Sequence, residues 1–224
     1  MAADTSLVTI RMRDVVASLW AAGQRGESLN RIRLQKFVYL MDAVATLFRL
    51  LPPSEGHYTF KYGPFDPAVQ NAVDCLAFRG LVKILNLKRG DEGTLSVDYT
   101  LTEAGQSWAR ELASVPVIAD RLTIAEAVAL RVSRLGWRRL RELVYAEPTF
   151  VSLAGTGYGR RLHPEQGKGV TSARLLEIIS AATSRASSET RHDLTLDLYF
   201  GFLHDYAHRQ KPGRRVHPMH GGGA

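Results

Sequence analysis

The stretch FKYGPFDPAVQNAVDCLAFRGLV, Phe60 to Val82, carries two proline pairs, Gly63-Pro64 and Asp66-Pro67. Proline fixes φ, lacks an N–H and pushes the residue before it out of the helical region. The chain therefore turns a rigid corner here and can enter a helix only at Asp66, with Asp66 as N-cap and Pro67 at the first helical position. Val69, Val73 and Leu76 then fall on one buried stripe, and Gly80 suits a left-handed C-terminal cap. The spacing predicts a helix from about Asp66 to Arg79. A helix presented after such a corner can lie in a DNA groove or serve as part of a docking surface.

The neighbouring segments obey the same logic. Leu7, Ile10, Val15, Val16, Leu19 and Trp20 recur at helical spacing between Ser6 and Ala22, and Gly23 stops the pattern. Asn30 is a candidate N-cap for a second helix, whose wide stripe of Leu34, Phe37, Val38, Met41, Val44, Ala45 and Phe48 implies packing on several partners. Pro52-Pro53 ends it. His57 to Tyr62 is aromatic and partly alternating, which predicts a strand. VKILNL and TLSVDYTL flank KRGDEG as a hairpin, and Thr100 with Glu103 fits a capping box for TEAGQSWARELA.

Beyond residue 113 the pattern is helical throughout. Thr123 and Glu126 fit a capping box for IAEAVALRVSRL; Gly136 interrupts, and WRRLRELVY continues to Pro148. Phe150 to Gly169 holds five glycines and a proline and predicts a long loop. Ser172 to Ala182 and Leu194 to Gln210 are amphipathic. HRQKPGRRVHPMHGGGA is basic, poor in apolar residues and expected to be disordered.

Charge separates the halves. Residues 1–112 carry 13 Lys/Arg against 12 Asp/Glu, and residues 113–224 carry 16 against 10. A basic excess favours polyanions, but most of it lies away from the 66–79 helix. A single cysteine, Cys75, excludes an intramolecular disulfide and a Cys-rich zinc site; beside Leu76, it reads as a small buried residue. No apolar run approaches the ~18–20 residues that span a bilayer. The charged N-terminus is no secretory signal, so a cytoplasmic location and no membrane partner are expected.

Leu34-Gln35-Lys36-Phe37-Val38-Tyr39-Leu40, Phe60-Lys61-Tyr62-Gly63-Pro64-Phe65, Gly80-Leu81-Val82 and Tyr99-Thr100-Leu101-Thr102-Glu103-Ala104-Gly105 occur in the order seen in one bacterial group. In this respect the chain resembles the YwgA-like proteins and the related Panacea-type, or SocA-like, antitoxins. Lys61 and Phe65 sit closer to the YwgA-like pattern, and LRELVYAEP, Leu140 to Pro148, resembles a later element of the group. The last third of the chain carries no matching motif. The resemblance implies a winged-helix-like fold without established enzymatic activity, encoded among toxin–antitoxin or phage-defence genes. It also implies a protein partner encoded nearby, a toxin or defence effector, and brings no catalytic residue with it.

The residue chemistry agrees in offering no reaction centre. The loop AGTGYGRRLHPEQGKGVTS lacks the Walker spacing and the dinucleotide fingerprint. His204 and His208, four apart on a helix, could face one metal, with Asp205 as orienter, but no third ligand has suitable spacing. His192-Asp193 and His204-Asp205 mimic a dyad without its other members. No serine sits in a nucleophile elbow.

The sequence thus predicts a mainly α protein with a small β-hairpin (α+β). It comprises a winged helix-turn-helix-like domain over 1–113, a helical extension over 114–208 and a basic tail over 209–224. The leading expectation is an antitoxin-like or defence-associated protein that binds a partner without cofactor or metal, through Tyr58, Tyr62, Phe65 and Phe78. The alternative is a DNA-binding regulator, possible as a homodimer. It would use Gln70, Asn71 and Arg79 on the helix, Lys88 and Arg89 on the wing, and the basic face Arg134, Arg138 and Arg141.

Overall fold

The computed structural model describes residues 7–53, 55–89, 95–163, 165, 170–185 and 187–209. The protein is mainly helical, with one three-stranded antiparallel sheet. Helices α1 (Leu7–Gly23) and α2 (Arg31–Val44) flank a two-residue strand β1 (Leu29–Asn30), and a 3-10 turn (Ala45–Phe48) comes after α2. Past the corner come α3 (Pro67–Phe78), β2 (Val82–Arg89), β3 (Leu95–Leu101) and α4 (Glu103–Ala113). The remainder is α5 (Pro116–Leu135), a 3-10 turn (Trp137–Arg139), α6 (Leu140–Tyr145), α7 (Pro148–Ala154), α8 (Ser172–Ala182) and α9 (Ser188–Arg209). Among the described residues, no helix is long and apolar enough to cross a membrane.

Local devices explain most boundaries. Asn30 caps α2 by accepting from the Arg33 amide, and Asp66 caps α3 by accepting from the Ala68 amide, with Pro67 next in line. At its far end Gly80 has φ +71°, and the Leu81 amide reaches back to the Leu76 carbonyl. The sheet order is β1–β3–β2, so β2 is an edge strand. Its register pairs Val82 with Leu101 and Ile84 with Tyr99, then shifts between Leu85 and Lys88, where Asn86 takes φ +52°.

The core is continuous across the expected boundary at residue 113. Val15, Leu19, Phe37, Leu40, Val73 and Leu76 share one buried apolar cluster with Ile124, Val128, Leu143, Tyr199 and Leu203. Helix α5 lies along α1, and α2 is buried at every residue from Leu34 to Val44, in keeping with its broad apolar stripe.

Several sequence expectations are corrected. His57–Tyr62 is no regular strand: Tyr58 makes only isolated bridges, to Phe65 and to Arg161. Thr102, not Thr100, caps α4, because β3 runs on through Thr100, which pairs with Lys83. Thr123 lies inside α5, its hydroxyl donating to the Ala119 carbonyl, so Thr123 and Glu126 form no capping box. Pro148–Ala154, capped by Glu147, is a helix that takes up the first five residues of the loop expected over Phe150 to Gly169. The hairpin tip at 90–94, Lys168 with its flanking glycines, and the tail from 210, including His217 and His220, lie outside the described residues.

Candidate functional site

Helix α2 locks the Gly63-Pro64 corner from beneath. Gln35 lies against the Asp66 backbone, its Nε2 donating to the Asp66 carbonyl and its Oε1 accepting from the Asp66 amide, both at 2.9 Å. Lys36 Nζ donates to the Pro64 carbonyl at 3.0 Å. Gly63 has φ +89°, and a Cβ there would sit 2.7 Å from both Lys36 Nζ and Tyr145 Cε1, so only glycine fits. Burial first, and then the charge of Arg141, push the Lys36 ammonium down to about 7.

Below the corner lies an ionic lattice. Arg11, fully buried, donates from Nε to Asp66 Oδ2, from Nη1 to Asp14 Oδ2 and from Nη2 to Asp42 Oδ2, each at 2.7 Å. Arg121, from α5, adds contacts to Asp14 Oδ1 at 2.7 Å and Asp42 Oδ1 at 3.0 Å. Burial opposes ionisation of Asp42, but Arg11, a contact from His57 and Arg121 overcome it, holding this carboxyl far below the usual carboxylate range. Burial likewise opposes the Arg11 charge, and Asp42, Asp14 and Asp66 outweigh it, so its pKa rises. His57 is itself buried, with Nδ1 at 3.4 Å from Asp42 Oδ2. At that distance neither ring nitrogen has a well-formed hydrogen bond.

A fourth buried carboxylate, Glu147, makes no ion pair among the described residues. Glu147 accepts from the Thr149 and Phe150 amides at the start of α7, from the hydroxyls of Tyr39 and Ser172, and from Tyr199 at 3.4 Å. Burial, and then Glu147, drive the pKa of both tyrosines well above the ordinary phenol value. Sequence reading missed Arg11, Asp14, Asp42, Arg121 and Glu147 altogether. The one signal in the sequence was a charged pair, Arg11 and Asp14, three apart on the apolar side of α1 beside Val15 and Ser18.

The four aromatics expected to bind a partner divide between two places. Tyr58, Tyr62 and Phe65 belong to the corner, with Tyr62 at 59% exposure. Phe78 stands at the other end of α3, roughly 17 Å along the axis at 1.5 Å per residue, and is 95% exposed. β2 comes next and exposes Ile84 and Leu87 on the edge strand.

On α3, Gln70 is engaged with Asp74 at 2.8 Å, while Asn71, Asp74 and Arg79 are exposed. Cys75, expected inside, is exposed too, because the buried stripe passes through Val69, Ala72, Val73 and Leu76. Lys88 and Arg89 are exposed residues of β2 itself, opposite Ser96 and Leu95. Arg134, Arg138 and Arg141 do not share a helix face. Gly136, at φ +91°, ends α5, leaving Arg134 on that helix, Arg138 in the 3-10 turn and Arg141 on α6. Arg134 also approaches Asp197 at 3.5 Å, and Arg131 is fixed by Asp193 and Asp197.

His204 and His208 do meet, with ring centroids 4.4 Å apart, and Asp205 Oδ1 lies 3.5 Å from His204 Nδ1. Arg139 Nη1 occupies the position facing both Nε2 atoms, which sets a positive charge where a metal would sit. Among the described residues no group of three or more His, Cys, Asp or Glu is placed to hold a metal ion. One concavity, about 550 Å³ and open to solvent, is lined by Gly80, Lys83, Leu85, Thr102, Glu103 and Gln106 among others, and none of the buried carboxylates lines it. No known family model and no curated protein sequence matches the chain.

Proposed function

We propose that this protein works by binding another protein, as an antitoxin-like or defence-associated component, on a winged-helix-like scaffold and without chemistry of its own. The order α1–β1–α2–α3–β2–β3 with sheet order β1–β3–β2 supports the scaffold reading. The motif residues that resemble the YwgA-like and Panacea-type pattern support the rest. Gln35, Lys36, Gly63 and Asp66 are consumed in holding the corner together, so they are explained without a substrate.

The observation that carries the proposal is the solvent face of α3. It offers Asn71, Asp74, Cys75 and the almost fully exposed Phe78, with Gln70 tied to Asp74 and Arg79 as its cation. Phosphates would meet a carboxylate there, whereas DNA readers place Lys or Arg in that position. An exposed phenylalanine next to an edge strand suits a protein partner, which can bury the ring and extend the sheet.

Co-expression with the product of the adjacent gene tests this. Phe78→Ala is expected to weaken co-purification by at least tenfold while leaving the melting temperature unchanged, since the ring makes so little contact in the free protein. A partner retained equally by wild type and Phe78→Ala, or tight duplex binding abolished by Asn71→Ala, would count against the proposal.

A further inference from the structure

Above the locked corner, two chain segments almost a hundred residues apart form one irregular ribbon. The Thr59 amide donates to the Arg160 carbonyl at 2.7 Å, the Gly159 amide to the Thr59 carbonyl at 2.8 Å, and the Leu162 amide to the His57 carbonyl at 2.8 Å. The Thr59 hydroxyl donates to the Gly157 carbonyl and accepts from the Arg160 amide. Within 57–65 the Tyr58 and Phe65 backbones exchange both hydrogen bonds.

This ribbon lifts aromatic rings into solvent. Phe60, Tyr62 and Tyr158 are 52%, 59% and 54% exposed. Phe60 lies 5.3 Å from Phe65 and 6.3 Å from Tyr158, with the planes tilted by 34° and 48°, so the rings leave faces uncovered. The surroundings are cationic. Lys61, Arg160 and Arg161 are exposed on the ribbon itself, and Arg31 stands 6.0 Å from the Phe65 ring. Neither 57–65 nor 157–163 contains a carboxylate. Asp66, next in sequence, is buried on Arg11, and Glu165 is the first acidic residue after the second segment.

We propose that the ribbon formed by 57–65 and 157–162 is a binding platform for single-stranded nucleic acid. This goes beyond the protein-docking reading and uses a different surface. Exposed rings interleaved with Lys and Arg match the two requirements of such a ligand: bases that stack on any π-face and a phosphate chain that needs cations. Tyr, Phe and Arg would also suit a protein, but four cations, with no carboxylate in either ribbon segment, favour an occupant that is itself a polyanion. A duplex is poorer too, since paired bases hide the faces that would stack. The support is rigid before binding, with Gln35 and Lys36 pinning the corner, so little ordering remains to be done on association.

Fluorescence anisotropy on the full chain tests the platform, using labelled RNA and DNA oligomers of roughly 12 uridines or thymidines, a duplex of equal length and poly-glutamate. Both single strands are expected to bind more tightly than the duplex or poly-glutamate, and the tighter of the two identifies the natural sugar. Tyr158→Ala and Phe60→Ala should each lose about tenfold in affinity, and Tyr158→Phe should lose nothing, because stacking needs the ring alone. Arg160→Ala with Arg161→Ala should reduce the log–log salt slope by roughly 1.4. These side chains are exposed, so the fold is expected to tolerate all four changes, and equal melting temperatures will verify it. Equal affinity for poly-glutamate, tighter duplex binding, or single-strand binding indifferent to both ring deletions would overturn the proposal. Loss of co-purification in Phe78→Ala with oligomer binding intact would separate this platform from the protein-docking surface.

Discussion

Around Arg11, three buried carboxylates are held by two guanidiniums; around Glu147, one buried carboxylate is held by hydroxyls and the first amides of α7. Both sites tie the 1–113 segment to the C-terminal helices, the first through Arg121 on α5 and the second through Tyr39 reaching Glu147. Their costs differ. Ion pairs in the interior must repay desolvation of every charge, and they become liabilities when one member is lost. A lone carboxylate that accepts from amides and hydroxyls leaves no counter-charge stranded. The Arg11 lattice should therefore be brittle, and the Glu147 site forgiving.

The largest test of that difference is Arg11→Met. It strands Asp66 without a cation and leaves Asp14 and Asp42 on Arg121 alone, and a loss of about 3–5 kcal/mol in urea-unfolding stability is expected. A loss below about 1 kcal/mol would mean that Arg121 and solvent compensate, and the contrast with Glu147 would disappear.

Lys36 supplies a third arrangement, a buried amine that donates to the Pro64 carbonyl and has no carboxylate within ion-pair distance among the described residues. Its folded pKa, about 7, is below its ordinary 10.5, so between those values the unfolded chain binds more protons than the native state. Stability should accordingly rise with pH through that window and level off above it. Urea midpoints at pH 6.5 and 9.0 should differ in the wild type by an amount corresponding to roughly 2 kcal/mol, and in Lys36→Met the difference should largely vanish. A pH slope unchanged by the substitution would place its source elsewhere.

What the sequence made legible was whatever a short segment decides by itself. Asp66-Pro67 and Gly80 mark both ends of α3 because capping and left-handed backbone are local chemistry. The wide stripe of α2 correctly foretold a helix surrounded by others. Misjudged features depend on distant partners. His57–Tyr62 looks like a strand, but the segment it joins begins near residue 157 and offers only irregular pairing. Thr100 fits a capping box, yet pairing with Lys83 keeps it in β3 and passes the cap to Thr102. The Thr102-Glu103-Ala104-Gly105 run has its own reason at Gly105, where a Cβ would fall 2.1 Å from the Leu81 carbonyl oxygen. Arg11 and Asp14 were legible only as charges out of place on an apolar face, and Glu147 looked like an ordinary residue before a proline. The lattice cannot be read from spacing, because its members come from α1, α2, the N-cap of α3 and α5 and meet only in the fold.

The smallest expected effect belongs to Glu147→Gln, and it probes the forgiving site directly. Glutamine keeps the shape and one acceptor oxygen, so it can cap α7 through the Thr149 or Phe150 amide as glutamate does. Its NH2 group replaces an oxygen that accepts from one hydroxyl and one α7 amide, setting donor against donor at Ser172 and Thr149 or at Tyr39 and Phe150. The hydroxyl can rotate to accept instead, so one opposed amide remains and the loss is about 1–2 kcal/mol. A loss approaching that of Arg11→Met would show that the negative charge, and not the hydrogen-bond count, holds α7 and α8 against Tyr39 and Tyr199. The two buried sites would then be alike in kind, with the macrodipole at the start of α7 standing in for the missing cation.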